Sequence, residues 1–186
     1  MALTLVRARE RTMETTEKIV EAYVRYVKGW FTIPNIKCKG QKEIDLLAID
    51  PRANGRMSRY HIESGVSISK SYSGLTDKPF SVELLKQRVQ KAGQRRTLGY
   101  FIEYKFEDRN VVAALAEYGF QPGQYQRVIV TWGWTDGVDQ SAARSGILLW
   151  DFRDILREIA KQSRAVSAYF ADDTMRTLQL MARTTK

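Results

Sequence analysis

The stretch Glu43-Ile44-Asp45-Leu46-Leu47-Ala48-Ile49-Asp50 decides the fold, together with Tyr60-His61-Ile62-Glu63-Ser64-Gly65-Val66-Ser67-Ile68 after it. In both stretches aliphatic or β-branched residues alternate with polar ones, which predicts two β-strands. The segment between them, Pro51-Arg52-Ala53-Asn54-Gly55-Arg56, is rich in turn residues and short enough to join antiparallel neighbours. We therefore expect a pair of adjacent strands at the centre of the fold.

Each of these strands carries an acid beside apolar positions, Asp45 on the first and Glu63 on the second. Because paired strands place such residues close together, the two carboxylates predict a divalent-metal site. Two solvated carboxylates on an exposed sheet face are the alternative. The residues alone leave both interpretations open.

The composition is that of one folded domain, since the chain has 186 residues and 44% hydrophobic content. We expect a single domain over residues 1–186, with 164–186 as either part of it or a helical appendage. One cysteine and one histidine argue against a disulfide framework and a zinc site. No stretch resembles a membrane span or a secretory signal, so we expect a cytoplasmic protein with no membrane partner.

The net charge of +9 and the pI near 9.7 favour a polyanionic partner. A predicted helix over 81–94 and the residues just after it carry a cluster of cations. We take these residues as the candidate nucleic-acid contacts, most simply for DNA: Lys86, Arg88, Lys91, Arg95 and Arg96. A basic surface that serves solubility is the alternative.

The remaining pattern predicts further helices and strands in alternation. Helices are expected over 15–28, 81–94, 108–118, 154–163 and 173–182, and strands over 30–38, 126–134 and 146–152. Residues 98–106 fit a helix or a strand, with helix preferred, and 135–145 is expected to be a loop. The order predicts an α/β fold with a mixed central sheet flanked by helices.

An acid on the first helix, Glu17, followed by Asp45 and Glu63 on successive strands, resembles the core of the PD-(D/E)xK nuclease superfamily. Holliday-junction-resolvase-like and type IV restriction-like members are the most similar. The resemblance implies a restriction-endonuclease-like fold and a DNA endonuclease that uses Mg²⁺ or Mn²⁺. It further implies that Asp45, Glu63 and the Ser64 carbonyl bind the metal, and that Glu17 assists through a second ion or an ordered water.

The chain departs from that signature at Gly65, where the family has a lysine two residues after the Glu. One hypothesis is a relocated lysine, for which the candidates are Lys39, Lys42, Lys70 and Lys86. The other is a catalytically inactive module of the same fold that binds DNA or RNA. A structural interaction protein with incidental acids is a third alternative, and the sequence leaves open whether the chain is an enzyme and whether it forms a homodimer.

Two further residues have two interpretations each, and two more have one. Glu21 lies one turn from Glu17 and is an alternative helix acid. His61 shares a strand face with Glu63 and is either a proton carrier or a hydrogen-bonded structural residue. Glu43, like Asp50, is expected to be a solvated acid at a strand end.

Overall fold

The computed structural model describes residues 14–52, 57–66 and 74–184. Within them lies a five-stranded sheet of order β1-β2-β3-β4-β5. The strands are β1 Phe31–Cys38, β2 Lys42–Asp50, β3 Ser58–Ser64, β4 Gln126–Thr131 and β5 Ile147–Asp151. β1, β2 and β3 pair antiparallel, whereas β3, β4 and β5 pair parallel. The predicted α/β fold with a mixed sheet flanked by helices is confirmed.

Helices cover both faces of the sheet. The α-helices are α1 Thr15–Ala22, α2 Val82–Lys86, α3 Lys91–Gln94, α4 Arg109–Glu117, α5 Val138–Arg144, α6 Phe152–Ala165 and α7 Asp173–Thr184. Two π-helices add to them: the first, Tyr23–Val27, continues α1, and the second, Tyr100–Phe106, precedes α4. Because a parallel pair needs a crossover, the long connection from β3 to β4 carries α2, α3, the second π-helix and α4.

Two apolar layers hold the helices to the sheet. On one face α1, α6 and α7 pack onto the central strands, with Val20, Ile155 and Met175 among the buried contacts. On the other face the second π-helix and α5 bury Phe101 and Ala142. The second face also carries α4 and is the one from which the site described below is built.

Local signals explain several helix boundaries. Glu14 and Glu17 form a capping box at the start of α1. Gly29 follows the first π-helix with φ +71, a conformation that favours glycine. Asp108 caps α4 by accepting the Asn110 N–H at 2.9 Å, and the expected helix over 98–106 is present.

Two expectations are wrong. The helix over 81–94 is broken, because Gln87 has an extended ψ of 123 and divides α2 from α3. The expected loop over 135–145 contains α5, whose inward residues Val138 and Ala142 lie one turn apart among polar neighbours. Two apolar residues in a polar stretch are a weak periodic signal, so the composition favoured a loop.

The described part of β3 ends at Ser64, earlier than the predicted end at Ile68, although the Gly65 N–H still bonds the Val130 carbonyl at 2.8 Å. Ser67 and Ile68 lie outside the described residues. Among those described, no helix combines the length and apolar character that crossing a membrane requires.

Candidate active site

A cleft of about 260 Å³ opens beside the ends of β2 and β3, under the second π-helix. Acids from α1 and β2 line it together with cations from the β3–β4 connection. The charged residues of its lining are Glu14, Glu17, Lys42, Glu43, Asp45, Arg95, Arg96 and Lys105. A concave site with convergent charged groups of both signs is a candidate for binding and chemistry.

Asp45 lies at the base of this cleft and is only 5% exposed. Its Oδ2 accepts the backbone N–H of Ser64 at 2.8 Å, and its Oδ1 lies 3.1 Å from the Lys105 Nζ. The hydrogen bond joins β2 to the end of β3 and fixes the carboxylate. The alternative of a solvated strand acid is therefore wrong for Asp45.

Glu63 is completely buried behind Asp45. Its Oε1 lies 2.7 Å from the His61 Nε2, and its Oε2 lies 2.5 Å from the Lys105 Nζ. The structure thus brings Asp45 and Glu63 together through one lysine. A solvated carboxylate is excluded here as well.

Lys105 is the site residue that the sequence interpretation missed. It lies on the second π-helix, where its Nζ also donates to the Glu43 carbonyl at 3.3 Å. The available signal was its position among Phe101, Ile102 and Phe106, which keep helical spacing. A lysine at an inward position of an apolar helix needs an acidic partner, and this requirement could have identified Lys105 as a site residue.

Gly65 explains why the lysine comes from a helix. A Cβ at this position would lie 2.5 Å from the Cζ of Phe101, so the ring fills the space that a side chain on the strand would need. Phe101 and Lys105 lie one turn apart on the same helix. The space beside Gly65 is therefore filled by an aromatic ring of the chain itself.

The other candidate lysines are placed elsewhere. Lys42 lines the cleft but pairs with Asp108 at 3.0 Å, and its Nζ lies 3.0 Å from the ring centroid of Tyr104. Lys39 and Lys86 are exposed and do not line the cleft. Lys70 lies outside the described residues.

Glu17 and Glu43 complete an acidic cluster with Asp45. One carboxylate oxygen from each lies within 4.8 Å of the others. Glu43 also forms an ion pair with Lys37, so it is not simply a solvated strand-end acid as expected. Glu21 bonds Thr32 and Arg25 and does not line this cleft.

The acids carry unusual proton affinities because they are buried together. Burial and then the charge of Asp45 raise the pKa of Glu17 to about 7. Burial and then the charge of Glu63 raise the pKa of Asp45 to about 7. Burial also raises the pKa of Glu63, which therefore depends on a nearby cation to stay ionised.

The pKa values of the two basic partners, His61 and Lys105, shift in opposite directions. Burial and then the charge of Lys105 lower the pKa of His61 to about 3, so the ring is neutral at physiological pH. Burial alone would lower the pKa of Lys105. The negative charges of Glu63 and Asp45 outweigh the effect of burial and raise that pKa. His61 therefore acts as a hydrogen-bonding group, packed edge-on against Phe106 at 4.9 Å between ring centroids.

The cluster of Glu17, Glu43 and Asp45 fits a hard divalent cation. All three donors are carboxylate oxygens, the ligands that Mg²⁺ and Mn²⁺ prefer, and they lie close enough together to share one ion. Burial, and then the charge of a neighbouring carboxylate, raise the pKa values of Glu17 and Asp45, and a bound cation would offset both effects. These residues could therefore hold the ion that the resemblance implies.

The predicted nucleic-acid contacts divide into two groups. Arg95 and Arg96 line the cleft, whereas Lys86, Arg88 and Lys91 are exposed on α2, α3 and the turn between them and do not line it. The Arg96 Nη1 is buried without a hydrogen-bond partner among the described residues. Burial and then the charge of Arg95 lower the pKa of Arg96.

No protein-family model, curated protein or solved structure matches this chain.

Proposed function

We propose that this protein is a metal-dependent endonuclease that hydrolyses phosphodiester bonds in DNA. The observation that carries the proposal is the convergence of Asp45, Glu63 and the Lys105 ammonium at one end of the sheet. Two acids with incidental roles would have no reason to share one partly buried lysine. A lysine beside metal-binding acids provides the charge that phosphodiester hydrolysis requires near the phosphate.

Each residue of the cleft has a role in this proposal. A bound Mg²⁺ or Mn²⁺ would neutralise the phosphate and lower the pKa of a water nucleophile. Asp45, with Glu17 and Glu43 beside it, would hold the ion, and the resemblance implies the Ser64 carbonyl as a further ligand. Lys105 holds a positive charge next to Asp45, 3.1 Å from its Oδ1, where an attacking water or a phosphate oxygen would be oriented.

Arg95 and Arg96 support nucleic acid as the substrate. Both lie on the same cleft as the acids, and the unpartnered Nη1 of Arg96 is a donor suited to a phosphate oxygen. The net charge of +9 favours the approach of a polyanion. Lys86, Arg88 and Lys91 extend this positive surface outside the cleft.

A catalytically inactive module that binds DNA or RNA is the second candidate. It is favoured by Gly65, which leaves the strand without the lysine of the nuclease signature, and by the basic surface beside the cleft. The two candidates differ in one respect that is easy to measure. Both bind nucleic acid, but only the nuclease cuts it when metal is added.

The test is cleavage of linear duplex, branched and single-stranded DNA, with RNA in parallel, in Mg²⁺ or Mn²⁺. We expect cutting by the wild type, loss of it with EDTA, and loss of it in Asp45→Asn. Asp139→Asn, an exposed acid on α5, is the matched control and should cut normally. Salt-sensitive binding without cutting in any of these conditions would support the inactive module instead.

Light scattering on the same samples gives the number of chains in the particle. A homodimer would bring two sites to one duplex, whereas a monomer would cut its strands in separate events.

A further inference from the structure

The Lys105 ammonium has three oxygen neighbours inside the site. Its Nζ lies 3.1 Å from the Asp45 Oδ1, 2.5 Å from the Glu63 Oε2 and 3.3 Å from the Glu43 carbonyl oxygen. The contacts with Asp45 and with the Glu43 carbonyl are hydrogen bonds, and the contact with Glu63 is an ion pair. The charge is therefore held between β2 and β3, at the wall of the cleft.

Each carboxylate oxygen of Glu63 already lies beside a basic side chain. One oxygen contacts His61 and the other contacts Lys105. The side chain is fully buried and is absent from the lining of the cleft. A divalent ion entering from the cleft would reach Glu63 only by displacing the ammonium.

Three acids of the cleft, Glu17, Glu43 and Asp45, have carboxylate oxygens within 4.8 Å of one another. Asp45 thus belongs to two groups, because it contacts the Lys105 ammonium and also lies close to the two glutamates. Displacing Lys105 would separate a partly buried cation from its acidic partners, which is unfavourable.

We propose that Glu63 is a positioning residue for Lys105 and not a metal ligand, and that the Lys105 ammonium takes the place of a second divalent ion. The site then binds one ion, through Glu17, Glu43 and Asp45. This inference rests on the proposed function for its metal, and it changes the role that the resemblance implies for Glu63. His61 completes the arrangement by holding the second oxygen of Glu63.

The test is a titration of the metal-free protein with Mn²⁺ alone, followed by the electron paramagnetic resonance signal of the free ion. We expect the wild type to bind one ion per chain. Glu63→Gln should also bind one ion, with an affinity within about threefold of the wild type. Glu43→Gln should bind at least about tenfold more weakly, because a metal ligand is lost.

Lys105→Met is the variant that tests the exchange of ammonium for metal. With the ammonium removed, Asp45 and Glu63 become a free pair of carboxylates, and we expect a second Mn²⁺ to bind per chain. Lys39→Met is the matched control and should stay at one ion. Circular dichroism establishes that each variant is folded. If Lys105→Met does not fold, the number of Mn²⁺ ions bound by the wild type and by Glu63→Gln tests the inference.

Two ions bound to the wild type would overturn the inference, as would no binding, loss of binding in Glu63→Gln, or one ion in folded Lys105→Met. A different result would contradict the proposed function. A protein that binds one Mn²⁺ in this pattern but cuts no nucleic acid would keep the metal arrangement and lose the nuclease activity.

Discussion

At the scale of single residues, Gly65 and Phe101 determine where the lysine of the site comes from. The Phe101 ring packs so closely on Gly65 that a Cβ would lie 2.5 Å from its Cζ. A lysine at this strand position would clash with the ring, and the helix that carries the ring supplies Lys105 instead. The chain therefore keeps an ammonium beside its acids without a lysine on β3.

Gly65→Ala should be destabilising, because the added methyl group must displace a buried aromatic ring. We expect a loss of about 1–3 kcal/mol in the free energy of unfolding, measured by urea denaturation. Gly74→Ala is the control, since its Cβ would meet only ordinary contacts at 3.6 Å. Combining Gly65→Ala with Phe101→Leu should recover part of the loss, and equal stability of Gly65→Ala and the wild type would contradict the packing described.

The acids of the cleft should make metal affinity depend on pH. The pKa values of Glu17 and Asp45 are raised to about 7, so below pH 7 the metal-free protein holds protons on ligands that must ionise to bind a cation. We expect Mn²⁺ affinity to fall as the pH is lowered from about 8 to 6, with proton release on binding. Isothermal titration calorimetry in two buffers of different ionisation enthalpy measures that release, and binding without proton release at pH 6.5 would refute the assignment.

At the scale of elements, the start of α6 shows how a cap and an ion pair act together. The Asp151 Oδ1 accepts the Arg153 N–H at 2.9 Å, and the Arg153 side chain pairs with the same carboxylate. Hydrogen bonds from the Arg153 side chain, outweighing partial burial, lower the pKa of Asp151. The helix that covers one face of the sheet thus begins at a charged cap.

Asp151→Ala should cost about 1 kcal/mol of stability at pH 7, the usual effect of losing an N-cap. Because the pKa of Asp151 is lower in the folded protein, the unfolded chain takes up the proton first as the pH falls. The stability that Asp151 contributes is therefore present above about pH 4, and it is lost as the pH falls through the pKa of the folded state. The difference between variant and wild type should therefore shrink at pH 3. Asp154→Ala, an exposed acid in the same first turn, should change stability by less than about 0.5 kcal/mol at either pH.

The sequence predicted the strands better than the connection between them. Alternation identified Asp45 and Glu63 correctly as residues of neighbouring strands, because that signal is local and has a period of two. Lys105 is 60 residues from Asp45 along the chain, and no local pattern records their contact. Helix α5 was missed for a related reason, since two buried residues among polar ones resemble a loop.

At the scale of the whole molecule, basic residues lie both at the acidic cleft and on the opposite face of the sheet. Arg95, Arg96 and Lys105 line the cleft from the β3–β4 connection, and α6 on the other face carries further basic residues. Long-range attraction brings a polyanion to such a surface, whereas specific contacts within the cleft hold one phosphate. Measuring binding at several salt concentrations separates the long-range attraction from the specific contacts.

Arg96→Gln should weaken DNA binding and lower the slope of log K against log salt by about 1, because one phosphate contact is lost. Fluorescence anisotropy over about 50–200 mM salt, with Ca²⁺ in place of Mg²⁺ to prevent cutting, gives both quantities. Lys161→Gln on α6 removes the same charge away from the cleft and should change the slope less. If both substitutions changed the affinity and the salt slope equally, Arg96 would contribute only to the overall positive charge of the protein.

The most direct test of the account is the cleavage rate of Lys105→Met beside Lys39→Met under saturating Mg²⁺. Lys105 contacts both strand acids, whereas Lys39 is exposed outside the cleft. We predict that Lys105→Met lowers the rate by about 100-fold or more and that Lys39→Met stays within about twofold of the wild type. Undiminished cleavage by folded Lys105→Met would contradict the claim that this lysine completes a nuclease site.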